Sequence, residues 1–194
     1  MSSIDYYDAN AVAFSADTLD ADVSETRDWF LSQVPAGGAV LEAGCGAGRD
    51  AVAFLRAGYR VTAFDGSSSM VQLASEATGL EVLHMTFADV AWDSQFDGVW
   101  ACASLLHLSR AELPEGIGRL ARALKPGGVL FASFKFGEAE RHANGRRFTD
   151  LTPQTLSDLL AGAGLELVGV RVTPDGRPGR DHELWTCAIA RRPA

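Results

Sequence analysis

Cysteine is scarce in this chain of 194 residues, and the few cysteines present form no recognisable pattern. Cys45, Cys102 and Cys187 lie far apart, and no CxxC or Cys/His spacing links them. Zinc knuckles and disulfide frameworks both depend on such spacings. We therefore predict reduced thiols and no metal site.

Long apolar runs and an excess of basic charge are also missing. No stretch approaches the roughly 18 apolar residues that a membrane helix needs, so we expect no membrane partner. Residues 1–8 carry acids where a signal peptide would carry Lys or Arg, which predicts a cytoplasmic protein. Lys and Arg total 17 against 25 Asp and Glu, a net charge of −8. Because a sequence-independent grip on nucleic acid needs a basic face, we expect no nucleic-acid partner.

Short apolar runs alternate with helical patterns along most of the chain. The runs predict strands over 39–43, 60–64, 81–85, 96–101 and 129–134, and helices over 50–57, 67–76 and 113–124. Strands joined by helices of this length pair in parallel through right-handed crossovers. This part of the chain is therefore predicted to be an α/β sheet with helices on both faces.

The C-terminal part of the pattern differs. A helix is predicted over 154–161, and two strands over 165–172 and 182–190. The connector 173–180 is rich in turn residues and leaves no room for a crossover helix. Strands without a crossover pair antiparallel, so we predict a mostly parallel seven-stranded sheet that ends in an antiparallel hairpin.

The most informative segment is the glycine loop that follows the first strand, Gly44-Cys-Gly-Ala-Gly48. Glycine allows a tight turn and close approach of a ligand, and the helix that follows offers unpaired N–H groups. Asp65 ends the next strand, where its carboxylate is placed to accept hydrogen bonds from a ribose. These features predict a nucleoside-type cofactor; a purely structural turn between strand and helix is the alternative.

The spacing of the glycines bears on which cofactor is bound. The loop reads Gly-x-Gly-x-Gly, whereas the dinucleotide fingerprint needs its third glycine three places after the second. Glu42 lies at the end of the strand before the loop, where a carboxylate would repel a pyrophosphate but suits an ammonium and a sulfonium. An NAD(P)-dependent oxidoreductase therefore stays the less favoured alternative.

Three motifs in this order resemble those of the class I S-adenosylmethionine-dependent methyltransferases. They are Leu-Glu-Ala-Gly-Cys-Gly-Ala-Gly-Arg at 41–49, Phe-Asp-Gly-Ser-Ser-Ser-Met at 64–70 and Ala-Leu-Lys-Pro-Gly-Gly-Val-Leu at 123–130. The arrangement looks especially like the small tellurite-resistance-type enzymes, whose final strand is also antiparallel. The resemblance implies a Rossmann-like methyltransferase fold in a single domain over 1–194. Its expected parts are a helical cap (1–34), a cofactor-binding core (35–134), a lid-like loop (135–152) and a C-terminal helix with a hairpin (153–194).

The resemblance also implies residues that bind S-adenosylmethionine. Glu42 lines its methionine part, Arg49 pairs with its carboxylate, and Asp65 holds the ribose hydroxyls. The other residues expected around the cofactor are Gly44, Gly46 and Gly48 at the methionine part, and Gly66, Ser67, Met70, Phe87 and Asp89 at the adenine. Asp89 is the candidate partner of the adenine amino group, with Asp93 and Asp97 as nearby acids that weaken the assignment.

Residues near the end of the fourth strand bear on the acceptor. Cys102 follows Ala101 rather than Pro, and no Asn/Asp-Pro-Pro-aromatic motif is present, which argues against a nucleic-acid base methylase. We expect the backbone of Cys102 to face the cofactor. His107 is predicted as a general base on the acceptor side. Its alternative is a structural histidine that caps a helix or fills a pocket wall.

Two further segments were assigned to the same site. Tyr7 and Asn10 lie in an N-terminal aromatic segment that, by resemblance, folds over the cofactor, where aromatic faces attract a sulfonium. A stripe that only docks a helix on the core is equally compatible. Segment 135–152 carries arginines that could attract an anionic small molecule, or it is a solvated loop.

Together these observations predict a S-adenosylmethionine-dependent methyltransferase that acts on a small-molecule acceptor. A non-catalytic S-adenosylmethionine-binding protein is kept as a second alternative beside the oxidoreductase. Thiol, oxyanion, amine and carboxylate acceptors all stay open, as does the oligomeric state.

Overall fold

The computed structural model describes residues 2–194 and contains a seven-stranded sheet and a separate two-stranded hairpin. The strands are β1 (Ala39–Ala43), β2 (Arg60–Asp65), β3 (Leu83–His84), β4 (Phe96–Ala101), β5 (Leu124–Lys135), β6 (Glu140–Ala143), β7 (Arg146–Thr149), β8 (Glu166–Pro174) and β9 (Leu184–Arg191). The helices are α1 (Ser3–Thr18), α2 (Ser24–Leu31), α3 (Arg49–Arg56), α4 (Ser68–Thr78), α5 (Leu113–Ala123) and α6 (Pro153–Gly162). Single 3-10 turns lie at Phe87–Asp89 and Leu105–His107.

The order of strands in the large sheet is β3-β2-β1-β4-β5-β9-β8. The first five of these pair in parallel with their neighbours, and β9 pairs antiparallel with both β5 and β8. The central strands are buried on both faces, as the fully buried Leu41, Trp100 and Phe131 show. The predicted α/β sheet with its antiparallel final hairpin is confirmed.

Three predicted elements differ from the structure. The fifth strand was expected over 129–134 but begins earlier and spans Leu124–Lys135. The third strand was expected over 81–85 but pairs with β2 only at Leu83–His84; just beyond it, the Met85 N–H donates to the carbonyl of Asp65, the last residue of β2. Segment 135–152, expected to be a lid-like loop, contains the β6–β7 hairpin. Asn144 and Gly145 form its turn with positive φ angles of 50° and 77°, the combination that Asn-Gly turns favour.

The first two turns of the N-terminal helix α1 are held by hydrogen bonds to two neighbouring elements, α4 and β7. Asp8 accepts hydrogen bonds from the Ser67 and Ser68 hydroxyls and from the Ser69 N–H, so it binds the start of α4. On the other side, the N–H of Arg147 in β7 donates to Ser3. The helix therefore bridges α4 and the β6–β7 hairpin across the carboxyl ends of the parallel strands.

None of the helices within residues 2–194 has both the length and the apolar content that crossing a bilayer demands.

Candidate active site

The glycine loop turns sharply between β1 and α3. Gly44, Gly46 and Gly48 have φ angles of +76°, +54° and +83°, a region that L side chains rarely adopt. A Cβ at Gly44 would lie 2.5 Å from the Cβ of Ser104, so the loop passes directly against the segment after β4. A Cβ at Gly46 would have no atom within 4 Å. The loop is thus packed tightly on one side and open on the other, as a ligand cradle requires.

Asp65 ties this loop to the start of α4. One carboxylate oxygen accepts from the Gly46 N–H at 2.8 Å, and the other accepts from the Ser67 N–H at 2.9 Å. Burial raises the pKa of Asp65, although these backbone hydrogen bonds oppose the shift. Asp65 thus holds both the glycine loop and the start of the helix, and its contact with the ribose stays a prediction.

Glu42 is a buried acid with an unpartnered carboxylate oxygen. The residue is 4% exposed, and among residues 2–194 its Oε2 has no hydrogen-bond partner. Burial, followed by the nearby Asp50 carboxylate, raises the pKa of Glu42 well above its ordinary value. An unsatisfied buried acceptor is costly, and an ammonium donor beside it would satisfy it and stabilise its charged form. The residues at this end of the sheet therefore fit the amino group of a methionine-type ligand.

Arg49 is already engaged by the protein. Its guanidinium donates to both oxygens of Asp50, at 3.0 and 2.8 Å, and to the carbonyl of Thr18 at 3.2 Å. The indole of Trp100 donates to the same Asp50 carboxylate. Pairing of Arg49 with a cofactor carboxylate stays a prediction.

The residues predicted at the adenine fall into two groups. Gly66, Ser67 and Met70 lie together at the start of α4, where Ser67 accepts from the Met70 N–H and Ile4 of α1 covers Gly66. Phe87 packs edge-on against Phe64, with ring centroids 5.6 Å apart.

Within residues 2–194, neither Asp89 nor Asn10 has a side-chain hydrogen bond to the other residues predicted around the adenine. Asp89 is exposed and accepts from the N–H and hydroxyl of Thr86, forming a local cap. Asn10 is exposed on α1 and donates to the carbonyl of Tyr6 in its own helix. Their cofactor contacts stay predictions.

A cavity of about 480 Å³ lies beside the loop and reaches Arg49, Cys102 and His107. Its walls are the aromatic face of α1, the end of β4, the middle of β5, the β6–β7 hairpin and the connector between β8 and β9. Burial raises the pKa of Cys102 to about 12, so the group is a thiol near neutral pH and not a thiolate nucleophile. The volume suits a small organic molecule.

Tyr7 and His107 meet at this cavity. The Tyr7 hydroxyl is 2.8 Å from Nε2 of His107, and Nδ1 of His107 is 2.7 Å from the carbonyl of Arg147. A carbonyl only accepts, so Nδ1 carries the proton and Nε2 accepts from the Tyr7 hydroxyl. Burial lowers the pKa of His107 to about 4 and raises the pKa of Tyr7. Both groups are neutral near pH 7.

This pair adds contacts that the sequence-based assignments of Tyr7 and His107 did not include; those assignments stay predictions. Tyr7 was expected at the cofactor, but its hydroxyl binds His107, and neither ring nitrogen of His107 is free for a direct contact with an acceptor. No local pattern predicts the pairing, because the partners are 100 positions apart.

The comparison with known families matches the segment that contains the glycine loop. Residues 40–128 match the family described as "Methyltransferase domain". The match covers just under half of the chain. It contains the glycine loop, Asp65 and the start of α4, so the resemblance of these motifs to those of methyltransferases is confirmed for the matched residues.

Two curated relatives match the domain and its surroundings. The Cypemycin N-terminal methyltransferase of a Streptomyces species is 36% identical over 110 residues, 53% of this chain and 44% of that protein. The S-adenosyl-L-methionine-dependent Diels-Alderase iccD of Talaromyces variabilis is 30% identical over 145 residues, 68% of this chain and 47% of that protein. The chain thus spans about half the length of the curated relatives it matches.

A solved structure supports the fold. The 1,6-didemethyltoxoflavin-N1-methyltransferase of Burkholderia thailandensis is 22% identical, with a TM-score of 0.82 over 98% of this chain and 86% of that chain. It was crystallised with 1,6-didemethyltoxoflavin and S-adenosylhomocysteine. At this identity the likeness shows the fold.

Asp65→Ala tests whether Asp65 binds the cofactor ribose in addition to the backbone of Gly46 and Ser67. Hydrogen bonds to a charged group are worth about 1.5–3 kcal/mol, and 1.4 kcal/mol is about tenfold in affinity. We expect Asp65→Ala to weaken S-adenosylhomocysteine binding by roughly ten- to a hundredfold in calorimetry. The melting temperature should also fall, by about 4–8 °C for a loss near 2 kcal/mol, because Gly46 and Ser67 lose their acceptor.

Asp65→Asn is the matched control, because the amide keeps one acceptor oxygen and loses the charge. It should recover part of the melting temperature and little of the affinity. An unchanged dissociation constant in Asp65→Ala, with a lowered melting temperature, would assign Asp65 to the loop and the helix start alone.

Proposed function

We propose that this protein is a S-adenosylmethionine-dependent methyltransferase that acts on a small-molecule acceptor. The observation that carries the proposal is the unpartnered, buried carboxylate of Glu42 beside an open glycine loop, within a segment matched as a methyltransferase domain. When bound, S-adenosylmethionine supplies a methyl group on a sulfonium to a nucleophile. The finer likeness to tellurite-resistance-type enzymes stays part of this proposal.

The residues of the chain have separate tasks in this reaction. Glu42 accepts hydrogen bonds from the ammonium of the methionine part, and Asp65 accepts hydrogen bonds from the ribose hydroxyls. The glycine loop gives the ligand close access to the backbone. The neighbouring cavity holds the acceptor in line and excludes water, and positioning of this kind can supply several kcal/mol, up to about 7–11, without a covalent intermediate.

Tyr7 and His107 provide a route for the acceptor's proton. The Tyr7 hydroxyl lines the cavity and donates to Nε2 of His107, which is neutral near pH 7. A proton from an acceptor O–H or N–H can therefore pass to the Tyr7 oxygen while the tyrosine proton passes to Nε2. His107 is the terminal base in this arrangement, and Tyr7 is the group that meets the acceptor.

Binding calorimetry with S-adenosylmethionine and S-adenosylhomocysteine tests the proposal. We expect both ligands to bind, and NADH fluorescence titration to show no binding. Glu42→Gln should weaken both ligands by about tenfold or more, because an ammonium then loses a charged partner worth about 1.5–3 kcal/mol. Glu76→Gln, a change at an exposed position of α4, is the control and should bind normally.

Turnover is measured as S-adenosylhomocysteine formation over a panel of small-molecule acceptors. The proposal is overturned if neither S-adenosylmethionine nor S-adenosylhomocysteine binds. Binding without product for any acceptor class would favour the non-catalytic alternative. The cytoplasmic location and the absence of a nucleic-acid partner stay predictions.

A further inference from the structure

Arg146 stands apart among the charged side chains of the cavity. Six basic side chains line it, and five of them, Arg49, Lys135, Arg141, Arg177 and Arg180, have a carboxylate partner. Within residues 2–194, no carboxylate forms an ion pair with Arg146, and its Nε has no hydrogen-bond partner although it is buried. One terminal nitrogen makes a single long hydrogen bond, to the Tyr7 hydroxyl at 3.4 Å.

The surroundings of Arg146 are aromatic. Its guanidinium carbon lies 4.5 Å from the ring centroid of Tyr6, 5.1 Å from Phe148, 5.6 Å from Phe14 and 5.7 Å from Tyr7. Aromatic faces attract a cation but accept few of its N–H groups. An arginine has five N–H donors in a fixed fork, so most of the donors of Arg146 are unused by the protein.

The acids of the cavity do not supply the missing partner. Asp175 and Glu183 bind Lys135 and the arginines of the connector between β8 and β9. Asp22 accepts from the N–H and hydroxyl of Ser24, and Glu25 is 94% exposed and faces Arg171. A half-buried cation without a counter-charge is unfavourable unless a ligand supplies one.

We infer that Arg146 binds a carboxylate of the methyl acceptor, and that the substrates of this protein are small carboxylic acids with an apolar, planar body. This inference rests on the proposed function. A guanidinium fork matches a carboxylate with two parallel hydrogen bonds, and Phe14 and Phe148 offer apolar surface beside it. The Tyr7 hydroxyl contacts both Arg146 and His107, so an acid held by Arg146 lies next to the proposed proton route.

Matched pairs of ligands test the inference without turnover. The probes are benzoate and benzamide, phenylacetate and phenylacetamide, and 2-naphthoate and 2-naphthamide, with phenyl phosphate as a second anion. Dissociation constants are measured by ligand-observed NMR on the full chain, with and without S-adenosylhomocysteine. We expect at least one acid to bind ten times or more tighter than its amide.

Variants assign that preference to Arg146. In Arg146→Gln the acid and its amide should bind equally, and in Arg146→Lys the preference should be intermediate, because an ammonium lacks the fork. Arg122→Gln, at an exposed position of α5, is the matched control and should keep the preference of the parent protein. The affinity for S-adenosylhomocysteine is measured on every variant as a check of folding and of the cofactor site.

Each contrary outcome is distinct. An acid preference that is absent from the parent protein, or that persists in Arg146→Gln, overturns the inference. Tighter binding of phenyl phosphate than of every acid overturns the carboxylate assignment. If the parent protein does not bind S-adenosylhomocysteine, the proposed function is overturned instead. The comparison of each acid with its amide does not depend on that result.

Discussion

Gly44→Ala is expected to lower the melting temperature by about 4–20 °C and to abolish measurable S-adenosylhomocysteine binding. A non-glycine residue at a φ of +76° costs roughly 1–2 kcal/mol. The new Cβ would also lie 2.5 Å from the Cβ of Ser104, and overpacking of this kind costs about 1–3 kcal/mol more. For a domain of this size, 1 kcal/mol shifts the melting temperature by about 2–4 °C.

Gly127→Ala is the control that isolates the backbone cost. Gly127 has a φ of +80°, but a Cβ there would have no atom within 4 Å. It should lower the melting temperature by only about 2–8 °C, the effect of 1–2 kcal/mol. Differential scanning calorimetry compares the two variants directly.

A second change tests the steric part. Ser104→Gly removes the Cβ that the Gly44 variant meets, at the cost of the hydrogen bond from Ser104 to the Ala43 carbonyl. The Gly44→Ala change should therefore destabilise the Ser104→Gly background less than it destabilises the parent protein. Equal losses in both backgrounds would contradict the clash.

The course of the strands was predictable because it depends on local pattern. Residues in β4 alternate little and are nearly all buried, and the strand has the predicted bounds, Phe96–Ala101. The antiparallel pairing of β8 and β9 followed from the short connector alone. The β6–β7 hairpin was missed because its strands are short and charged, and the Asn144-Gly145 turn signal stood inside a segment interpreted as a loop.

The residues of the candidate site also fall into two kinds, those located by a local pattern and those located by long-range contacts. Glu42, the glycine loop and Asp65 sit at strand ends, where a parallel sheet places its ligand, so a single local pattern locates them. Arg146, by contrast, acquires its surroundings from α1, which lies more than a hundred positions away in sequence. Such long-range contacts leave no periodicity or spacing in the chain, and sequence reasoning therefore assigned Tyr7 to the cofactor and left Arg146 among several loop arginines.

The second large effect is expected at the Tyr7–His107 pair. With an acceptor found in the panel, His107→Gln should lower kcat by about 10²–10⁴, the usual contribution of a general base, with little change in KM. Tyr7→Phe should lower kcat by a similar factor, because the hydroxyl is the link between acceptor and Nε2. Groups that act as one unit are not additive, so the double variant should be no slower than the slower single variant.

The dependence on pH follows from the same geometry. His107 works as a base only when it is neutral, and burial lowers its pKa to about 4. With cofactor and acceptor both saturating, so that ionisation of Glu42 no longer limits binding, the parent protein should therefore keep a constant kcat on the acid side until the pH falls towards about 4, rather than losing activity near the ordinary histidine value of 6.5. His107→Gln should remove that acidic limb along with most of the rate.

Tyr6→Phe is the matched control for Tyr7→Phe, since it removes a phenol oxygen from the same turn of α1 and keeps the aromatic ring that contacts Arg146. It should retain most of the activity. Near-normal kcat in His107→Gln would instead make the histidine a wall of the cavity that fastens α1 through Tyr7. In that case the same variant would show a lowered melting temperature and an unchanged pH profile, because the lost contact would be structural and no proton would pass through Nε2.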